Sequence, residues 1–543
     1  MEKSNDMAKR AGASRFMPWV IAGLVILLAA GIRLRLADMP LERDEGEYAY
    51  AGQLMLDGLP PYSLAYNMKF PGTYAAYAVI MAVFGQTVAG IHIGVMIVNA
   101  ASSILIFLLA KRLLDAWAGA AAAACHAVTT MLPGVLGLAG HATHFVMLAA
   151  LGGIMVLLVA LDRPKRLLVP VSGFLLGVAI LMKQPGAAFL AFAALYLAWR
   201  HLRARPVNWR RLAADEGLLL VGAAAPLAAT ALALRAAGVF DTFWFWTIDY
   251  AREYGSIVPL SESANWFVQG LEECTGAAAG IWTLGAVGLV AAAWDRRVRA
   301  AAPLLGGLLV FSFIATSAGF YYRNHYFLLL LPALSILAGV LASSAAGALG
   351  HARLPRFVRW MPAAVLAAAC GCVLLAERAV LFEETPERAC RSVYGMNPFP
   401  EAVKIAKYVA DRASPSDRIA VVGSEPEIYF YAHRRSATGY IYTYGLMEPQ
   451  PYARRMQLEM IREIEAAQPR FLITVHVPTS WLAGPDSDMT IFQWLSRYGV
   501  ANYEQVGVID MQSADYTVYR WNEEAAGYRP LSPFWLAVFR RTR

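Results

Sequence analysis

Residues 17–36 read MPWVIAGLVILLAAGIRLRL, a run that holds no acidic residue and two basic residues, both near its end. A helix of about 20 mostly apolar residues is long enough to cross the roughly 30 Å hydrocarbon core of a bilayer. Basic residues precede the run, as in a signal peptide, but Arg33 and Arg35 stand where a cleavage site would be expected. We therefore interpret the run as a retained membrane anchor.

Further runs of this kind follow, and together they predict about eleven transmembrane helices. The other ten lie near residues 91–110, 115–132, 144–161, 166–182, 185–200, 213–235, 276–294, 299–317, 325–344 and 360–378. The composition agrees, since 58% of the residues are hydrophobic and 16% are charged, whereas about 25% are charged in a soluble domain. The sequence predicts a polytopic α-helical membrane protein, with a transmembrane module over residues 1–380.

The Lys and Arg residues between the runs predict the orientation. With the N-terminus in the cytoplasm, about 20 basic residues lie on that side and about 8 on the other, the bias that membrane insertion selects. The basic inner loops lie near residues 111–112, 163–166, 200–211, 296–299 and 353–359. Because eleven is odd, we expect a C-terminal domain (residues 381–543) outside the cytoplasm, on the periplasmic side of the inner (plasma) membrane.

The charge pattern and missing motifs exclude several functions. The net charge of +8 belongs mostly to these loops, so we predict membrane lipids as partners and no nucleic acid. The sequence has no GxxxxGK[ST] or GxGxxG motif after a strand, which argues against ATP or a sugar nucleotide as direct substrate. The five cysteines lack zinc-site spacing. The predicted outer loops, 38–90, 237–275 and 318–325, are therefore where functional residues are sought.

The first outer loop contains LERDEGEYAYAGQLMLDGLPPYSLAYNMKFPGT over residues 41–73. Asp44 and Glu45 are adjacent acids, and Lys69 is a single lysine close to the lipid. A solvated loop would explain any one of these residues, but the combination suits group transfer. A carboxylate can take a proton from an attacking hydroxyl, and a lysine can neutralise a phosphate that leaves.

This arrangement resembles the GT-C membrane glycosyltransferases, and most closely glycosyltransferase family 39. That family includes protein O-mannosyltransferases, lipid A aminoarabinose transferases and rhizobial galacturonosyltransferases, which use polyprenyl-phosphate sugars and invert the anomeric centre. The resemblance covers the layout of residues 15–345. It implies that Asp44 is the catalytic base, that Glu45 is the acid that often follows it, and that Lys69 is the lysine of the Lys-Pro motif. Phe70 departs from the family, which commonly has Pro there.

The segment Tyr321-Tyr322-Arg323-Asn324-His325-Tyr326 is similar to the family's Arg/Lys-x-x-Tyr-x-Leu-Pro segment, whose basic residue faces the lipid phosphate. The resemblance makes Arg323 a candidate phosphate ligand, because an arginine can hold two phosphate oxygens, with Tyr322 and His325 beside it as substrate-binding candidates. A snorkelling anchor is the alternative for Arg323, and a hydrogen-bonded interfacial histidine is the alternative for His325.

Lys183 occupies a turn where family members often carry a lysine, so it is either a second phosphate contact or a helix-end anchor. His144 stands where relatives frequently carry an acid, which leaves its substrate contact an expectation. His141 and His144 share a helix face, but without a third ligand we predict no metal site. A divalent metal is a feature of some family members only, so the resemblance leaves a metal cofactor possible without predicting one.

Two further regions complete the expectation. The tryptophans and tyrosines of loop 237–275 suit either the membrane interface or stacking on sugars. In the C-terminal domain, helices near 398–413 and 452–467 alternate with strands near 418–422, 470–475, 503–510 and 515–521, which predicts a small α/β domain.

Together these features predict an inverting glycosyltransferase that moves a sugar from a polyprenyl-phosphate donor to a lipid, glycan or protein acceptor in the cell envelope. The alternative is a polytopic transporter or flippase of a lipid-linked or small solute. A transporter would place ionisable residues near the membrane midplane and often carry an internal repeat. The spans are nearly free of charge at their centres, and the sequence shows no repeat.

Overall fold

The computed structural model describes residues 2–163, 165–352 and 354–542. Arg353, one of the inner-loop basic residues counted above, lies outside these ranges. The α-helices are α1 Glu2–Arg35, α2 Arg43–Leu56, α3 Pro71–Phe84, α4 Val88–Leu113, α5 Ala116–Thr129, α6 Ala142–Asp162, α7 Leu168–Met182, α8 Ala187–Arg203, α9 Trp209–Ala236, α10 Phe240–Trp244, α11 Ala251–Gly255, α12 Leu260–Thr275, α13 Ala279–Trp294, α14 Ala302–Thr316, α15 Leu331–His351, α16 Met361–Ala376, α17 Pro386–Tyr394, α18 Phe399–Ala410, α19 Glu427–Ala432, α20 Tyr444–Met447, α21 Ala453–Ala467, α22 Pro478–Trp481 and α23 Thr490–Asn502.

The chain divides into two compact units, neither of which is continuous in sequence. The first unit consists of Met1–Leu36, His92–Thr230 and Val258–Glu383. The second consists of Ala37–Ile91, Ala231–Ile257 and Glu384–Arg543. The second unit therefore contains, besides the C-terminal domain, the first outer loop and part of the loop near residue 240.

Within the described ranges, eight helical segments are long and apolar enough to cross a membrane. They are Phe16–Arg35, Val88–Leu113, Ala142–Asp162, Trp209–Ala236, Leu260–Trp294, Arg299–Thr316, Leu331–His351 and Phe357–Ala376. The number is lower than the eleven predicted because α5, α7 and α8 have only 14, 15 and 17 residues. Each of these three predicted runs does form a helix. The prediction of a multi-pass helical membrane protein is confirmed.

Local sequence explains where helix α7 ends. Helix α7 ends at Met182, and a 3-10 turn over Gln184–Gly186 follows. The residue before a proline is disfavoured in helical conformation, and Gln184 precedes Pro185. The polar residues Lys183 and Gln184 interrupt the hydrophobic residues at the same point, which is where the predicted run 166–182 ends. Lys183 is thereby placed at the C-terminus of α7.

The first unit packs its helices through small residues. A Cβ atom added to Gly173 of α7 would lie 2.0 Å from the carbonyl oxygen of Leu219 in α9, and one added to Gly339 of α15 would lie 2.3 Å from that of Ala118 in α5. Helices in lipid gain little from the hydrophobic effect and associate through such close backbone packing. The core between them consists mainly of buried Leu, Ile and Ala side chains.

The second unit contains a six-stranded mixed sheet with strand order β2-β1-β3-β6-β4-β5. The strands are β1 Arg418–Val422, β2 Arg435–Ser436, β3 Phe471–His476, β4 Tyr503–Ser513, β5 Tyr516–Trp521 and β6 Trp535–Arg541. Strand β1 runs parallel to β2 and β3, whereas β6 is antiparallel to both β3 and β4. The predicted C-terminal α/β domain is confirmed.

Helix α2 lies against α19 in the second unit. Gly46 makes this approach possible, because a Cβ atom at that position would come within 2.6 Å of the Glu427 Cβ. Helix α2 also packs on α3, which follows it in the chain. The short helix that carries Asp44 is therefore fixed between α3 and the C-terminal domain.

Candidate active site

Helix α2 begins with a capping box that explains the position of Glu45. The Glu42 side chain accepts a hydrogen bond from the Glu45 backbone N–H at 2.9 Å, and the Glu45 carboxylate accepts one from the Glu42 N–H at 3.4 Å. Such reciprocal bonds satisfy the unpaired donors of a helix N-terminus. Glu45 is fully buried and its carboxylate caps the helix N-terminus, and its predicted catalytic role stays a prediction.

Asp44 lies in an ion network with Lys69 and Glu47. The Lys69 ammonium donates to Asp44 Oδ1 and to Glu47 Oε2, each at 2.7 Å. Glu47 also accepts hydrogen bonds from Asn67 at 2.8 Å and from the Tyr74 hydroxyl at 2.6 Å. The Asp44 and Lys69 side chains are each 13% exposed, whereas the Glu47 side chain is 0% exposed. The first two can therefore meet a substrate, and Glu47 holds them from beneath.

The chain around Lys69 fixes where its side chain starts. Phe70 has extended backbone and precedes Pro71, the first residue of α3, as expected before a proline. The Tyr62 hydroxyl donates to the Lys69 carbonyl oxygen at 2.6 Å. Tyr62 itself has φ of 67°, a left-handed conformation that is uncommon for a tyrosine. The backbone of Lys69 is thus fixed by the Tyr62 hydrogen bond and by the start of α3 at Pro71.

The network keeps Lys69 positively charged. Burial alone would lower the pKa of Lys69, but the carboxylates of Asp44 and Glu47 raise it well above its ordinary value. Burial raises the pKa of Glu47, as does the charge of Asp44, while Lys69 opposes both. The lysine is therefore a permanent cation near neutral pH and does not serve as a proton donor or acceptor.

The C-terminal domain contributes directly to this network. The Tyr442 hydroxyl, in the segment between β2 and α20, donates to Asp44 Oδ1 at 3.3 Å. The Lys69 ammonium lies 5.4 Å from the centre of the Tyr442 ring and 4.7 Å from that of Tyr48. Such distances allow a favourable cation–π interaction.

Arg43, the residue before Asp44, anchors α2 to the same domain. Its guanidinium donates to the Ser424 carbonyl oxygen at 2.6 Å, to Glu425 Oε1 at 3.1 Å and to the Tyr444 hydroxyl at 2.9 Å. Both Arg43 and Glu425 are buried. The anchor holds the helix turn that presents Asp44.

In the first unit, Lys183 and His325 come together. The Lys183 ammonium lies 3.4 Å from His325 Nε2 and 4.0 Å from the centre of the Tyr326 ring. The His325 ring stacks on that of His141, with centroids 4.2 Å apart and planes within 9°. The sequence separates these residues by up to 185 positions, and helix packing brings them to one place.

The remaining predicted residues of the first unit lie in different environments. Arg323 is exposed, with its guanidinium 5.4 Å from the Tyr321 ring. Tyr322 is buried against Phe267, with ring centres 5.2 Å apart, and its substrate-binding role stays a prediction. His144 is buried at the start of α6, and its Nε2 has no hydrogen-bond partner among the described residues.

The aromatic residues of the loop 237–275 divide between core and surface. Trp246 and Tyr250 are buried, and Trp246 stacks on Tyr66 of the first outer loop at 5.8 Å. The Tyr250 hydroxyl donates to Glu448 at 2.5 Å. These two side chains pack the second unit together. Trp244 is exposed.

Sequence reasoning missed Glu47 and Tyr442. Glu47 follows Asp44 by three residues, and residues three apart lie on the same helix face. This spacing could have identified Glu47, but adjacency to Asp44 favoured Glu45 instead. Tyr442 lies 398 residues from Asp44 in a segment without regular structure. Its sequence context gives no such signal.

Comparisons with known proteins agree with this fold. Residues 69–229 match the family described as Dolichyl-phosphate-mannose-protein mannosyltransferase. No curated protein sequence gives a significant match. Among solved structures, ArnT from Cupriavidus metallidurans bound to undecaprenyl phosphate is similar over 96% of this chain and 98% of that chain, with 17% identity and a TM-score of 0.59. The apo form of ArnT is similar over 96% of this chain and 97% of that chain, with 17% identity and a TM-score of 0.57.

The archaeal oligosaccharyltransferase AglB from Archaeoglobus fulgidus, in complex with an inhibitory peptide and a dolichol-phosphate, is similar over 94% of this chain and 75% of that chain. The identity is 13% and the TM-score 0.53. At these identities the likeness shows the fold. The family match and the shared fold confirm the prediction of a GT-C membrane glycosyltransferase, and they do not favour the transporter alternative.

Proposed function

We propose that this chain, a membrane glycosyltransferase of the GT-C type, transfers a sugar from a polyprenyl-phosphate donor to a hydroxyl-bearing acceptor and inverts the anomeric centre. The observation that carries the proposal is the ion network of Asp44, Lys69 and Glu47. The relatives support the donor class, since the matched family is named for dolichyl-phosphate-mannose and ArnT was solved with undecaprenyl phosphate.

Asp44 is the proposed general base. As the acceptor oxygen forms its bond to the anomeric carbon, its proton passes to the Asp44 carboxylate. The bond between that carbon and the phosphate oxygen breaks at the same time, and the phosphate keeps the electron pair. Proton removal by a positioned carboxylate typically gives about 10²–10⁴ in rate. The attack comes from the face opposite the phosphate, which gives the inversion.

Lys69 is the proposed counter-charge for the departing phosphate. Its position between two carboxylates keeps it protonated, as derived above, so its charge is present before the donor arrives. A preorganised charge needs no reorganisation during the reaction, which is why it stabilises developing charge effectively. Glu47 is a positioning residue in this proposal, because it is buried beneath Lys69 and holds the ammonium.

Tyr442 is a second positioning residue, which gives the C-terminal domain a role in catalysis. Its hydroxyl donates to the same oxygen, Asp44 Oδ1, that receives the Lys69 ammonium. Two donors on one oxygen restrict rotation of the carboxylate. The base is thereby oriented for the proton it is to accept.

Lys183 and Arg323 remain proposed phosphate ligands, and His325 a proposed partner of Lys183. The support for Lys183 is its contact with His325 and Tyr326. A lysine that served only as a helix-end anchor would instead be solvated. The support for Arg323 is its exposure and its charge. Replacing either residue by alanine is expected to raise the KM for the donor more than it lowers kcat.

The proposed orientation has the N-terminus in the cytoplasm and the C-terminal domain outside the plasma membrane. The distribution of Lys and Arg supports it. The acceptor is then an extracytoplasmic lipid, glycan or protein. A C-terminal fusion to alkaline phosphatase, which folds actively only outside the cytoplasm, tests the orientation: an inactive fusion at normal expression would contradict it.

The function is tested by transfer from a panel of radiolabelled polyprenyl-phosphate sugars to an envelope extract, with membranes that contain the wild-type chain. Label that moves from one donor to an acceptor establishes the reaction, and NMR of the product establishes the configuration. Equal transfer from the corresponding sugar nucleotides would contradict the donor class. A retained configuration would contradict direct displacement by the acceptor.

A further inference from the structure

Four helix ends of the first unit surround a cavity that the reaction above does not use. They are the C-termini of α6 and α8 and the N-termini of α7 and α9. The cavity has a volume of about 150 Å³, which is room for a group the size of several water molecules at about 30 Å³ each. A phosphate group is of this size.

A buried acid organises the cavity wall. Asp215 has a side chain only 6% exposed, and its Oδ1 accepts from Arg166 Nε at 2.9 Å. Arg211 Nε lies 3.6 Å from Asp215 Oδ2. His201 Nε2 lies 3.1 Å from the same oxygen without forming a hydrogen bond to it. One carboxylate thus pairs with two guanidinium groups, and an imidazole lies beside it.

The cavity wall carries an excess of positive charge. Arg166, Arg200 and Arg211 line it together with His201, and Asp215 is the one acid among the lining residues. Asp162, which is not part of the lining, lies 3.7 Å from Arg200, so two carboxylates face three guanidinium groups and one positive charge remains. The Arg166 and Arg211 side chains remain 51% and 50% exposed, so they can still donate to a ligand. Arginine is well suited to this role because its planar group can hold two phosphate oxygens.

The rest of the wall is apolar. Ala160, Leu161 and Val169 complete the lining. They belong to the membrane-spanning α6 and to α7, one of the shorter apolar helices. A cationic rim over an apolar wall matches a ligand with an anionic head and hydrocarbon chains. Inorganic phosphate would use the rim but gain nothing from the apolar wall.

The cavity is separate from the Lys183 cluster. It lies at the N-terminal end of α7, and Lys183 follows the C-terminal end of the same helix. Fifteen residues at about 1.5 Å each place the two sites about 22 Å apart. In the predicted orientation the cavity faces the cytoplasmic leaflet, which carries anionic lipids that basic pockets between helices recognise.

We propose that this cavity binds the phosphate of an anionic phospholipid headgroup, with Arg166, Arg200 and Arg211 as the phosphate ligands. Loop arginines that serve only to set the topology need neither a shared cavity nor a buried acid that fixes their guanidinium groups. Arg163 and Lys165 show that contrast, because both are exposed in the same loop and neither lines the cavity. They provide a matched control.

The test is a titration of the purified full chain in detergent, followed by native mass spectrometry, with phosphatidylglycerol and phosphatidylcholine of the same acyl chains. We expect phosphatidylglycerol to bind about tenfold more tightly, because phosphatidylcholine carries the same phosphate together with a choline cation that the arginines repel. Arg166→Gln with Arg211→Gln should abolish this preference, whereas Arg163→Gln with Lys165→Gln should retain it. The single change Arg200→Gln serves if the first double variant does not fold, and it should weaken binding several-fold.

Three results would overturn the proposal. The first is equal binding of the two lipids by the wild-type chain. The second is an equal loss of preference in both double variants, which would show that overall basic charge, not the cavity, attracts the lipid. The third is displacement of phosphatidylglycerol by millimolar inorganic phosphate, which would make the site one for free phosphate.

Discussion

Replacing Glu47 by glutamine tests whether Glu47, which contacts Lys69, or Glu45, which is adjacent to Asp44 in sequence, is the second acid that matters for catalysis. The change keeps the size of the side chain and the acceptor for the Tyr74 hydroxyl, but it removes the charge 2.7 Å from the Lys69 ammonium. A hydrogen bond to a charged group contributes about 1.5–3 kcal/mol. Since about 1.4 kcal/mol corresponds to a factor of ten in rate, we expect Glu47→Gln to lower kcat about 10- to 100-fold.

The matched control is Glu45→Gln, which makes the same chemical change two residues away. Glutamine can replace glutamate at this position of a capping box, so kcat should stay within about twofold of wild type. The assay is single-turnover sugar transfer by purified protein, normalised to the folded fraction from gel filtration. The reasoning is refuted if Glu45→Gln loses more activity than Glu47→Gln, because the acid that matters would then be Asp44's direct neighbour.

Three further outcomes follow from the same contacts. Tyr442→Phe removes one hydrogen-bond donor from Asp44, so kcat should fall about 2- to 10-fold. The acid limb of the pH profile should also move to higher pH, because the Asp44 carboxylate is less stabilised. An unmoved limb would show that Tyr442 does not act on Asp44. Arg43→Met leaves the buried Glu425 carboxylate without its cation, so the unfolding free energy in detergent should fall by about 3–5 kcal/mol, and adding Glu425→Leu should restore part of it; a single variant as stable as wild type would contradict the anchor. The pKa of Lys69 is higher in the folded protein than in the unfolded chain, so its charge, and the stability that depends on that charge, are fully present below the unfolded-state pKa and are lost only as pH rises through the folded-state pKa. We therefore expect kcat at saturating donor not to fall between pH 7 and 10. A decline with an apparent pKa in that range would show that the lysine titrates.

The sequence alone predicts the membrane part of the fold well, because apolar runs of the right length have few alternatives. What it does not predict is where each helix ends. Helix α5 ends at Thr129, whereas the predicted apolar run continues to residue 132, so counting apolar residues overestimates the helices long enough to span. Strand β6 was missed for a related reason. It is a short apolar segment near the end of the chain, and its place beside β3 and β4 depends on pairing with distant residues.

The candidate site divides in the same way. Asp44 and Lys69 were predicted because unusual residue types stand out in a loop beside a membrane span. Their 2.7 Å contact required the fold of the whole loop, in which the Tyr62 hydroxyl and Pro71 fix the backbone of Lys69. The contribution of Tyr442 depends on a C-terminal domain whose residues carry no catalytic pattern. Contacts between segments that are distant in the chain cannot be predicted from local sequence patterns.

The most direct measurement is sugar transfer by Asp44→Asn, in parallel with the wild-type chain. Asparagine keeps an oxygen that can accept from Lys69 and Tyr442, but it cannot take the acceptor proton. We predict that transfer falls by about 10²–10⁴, the usual contribution of a general base, while binding of the polyprenyl-phosphate donor changes far less. Wild-type transfer rates from a folded Asp44→Asn protein would contradict the assignment of Asp44 as the base and, with it, the account of the site.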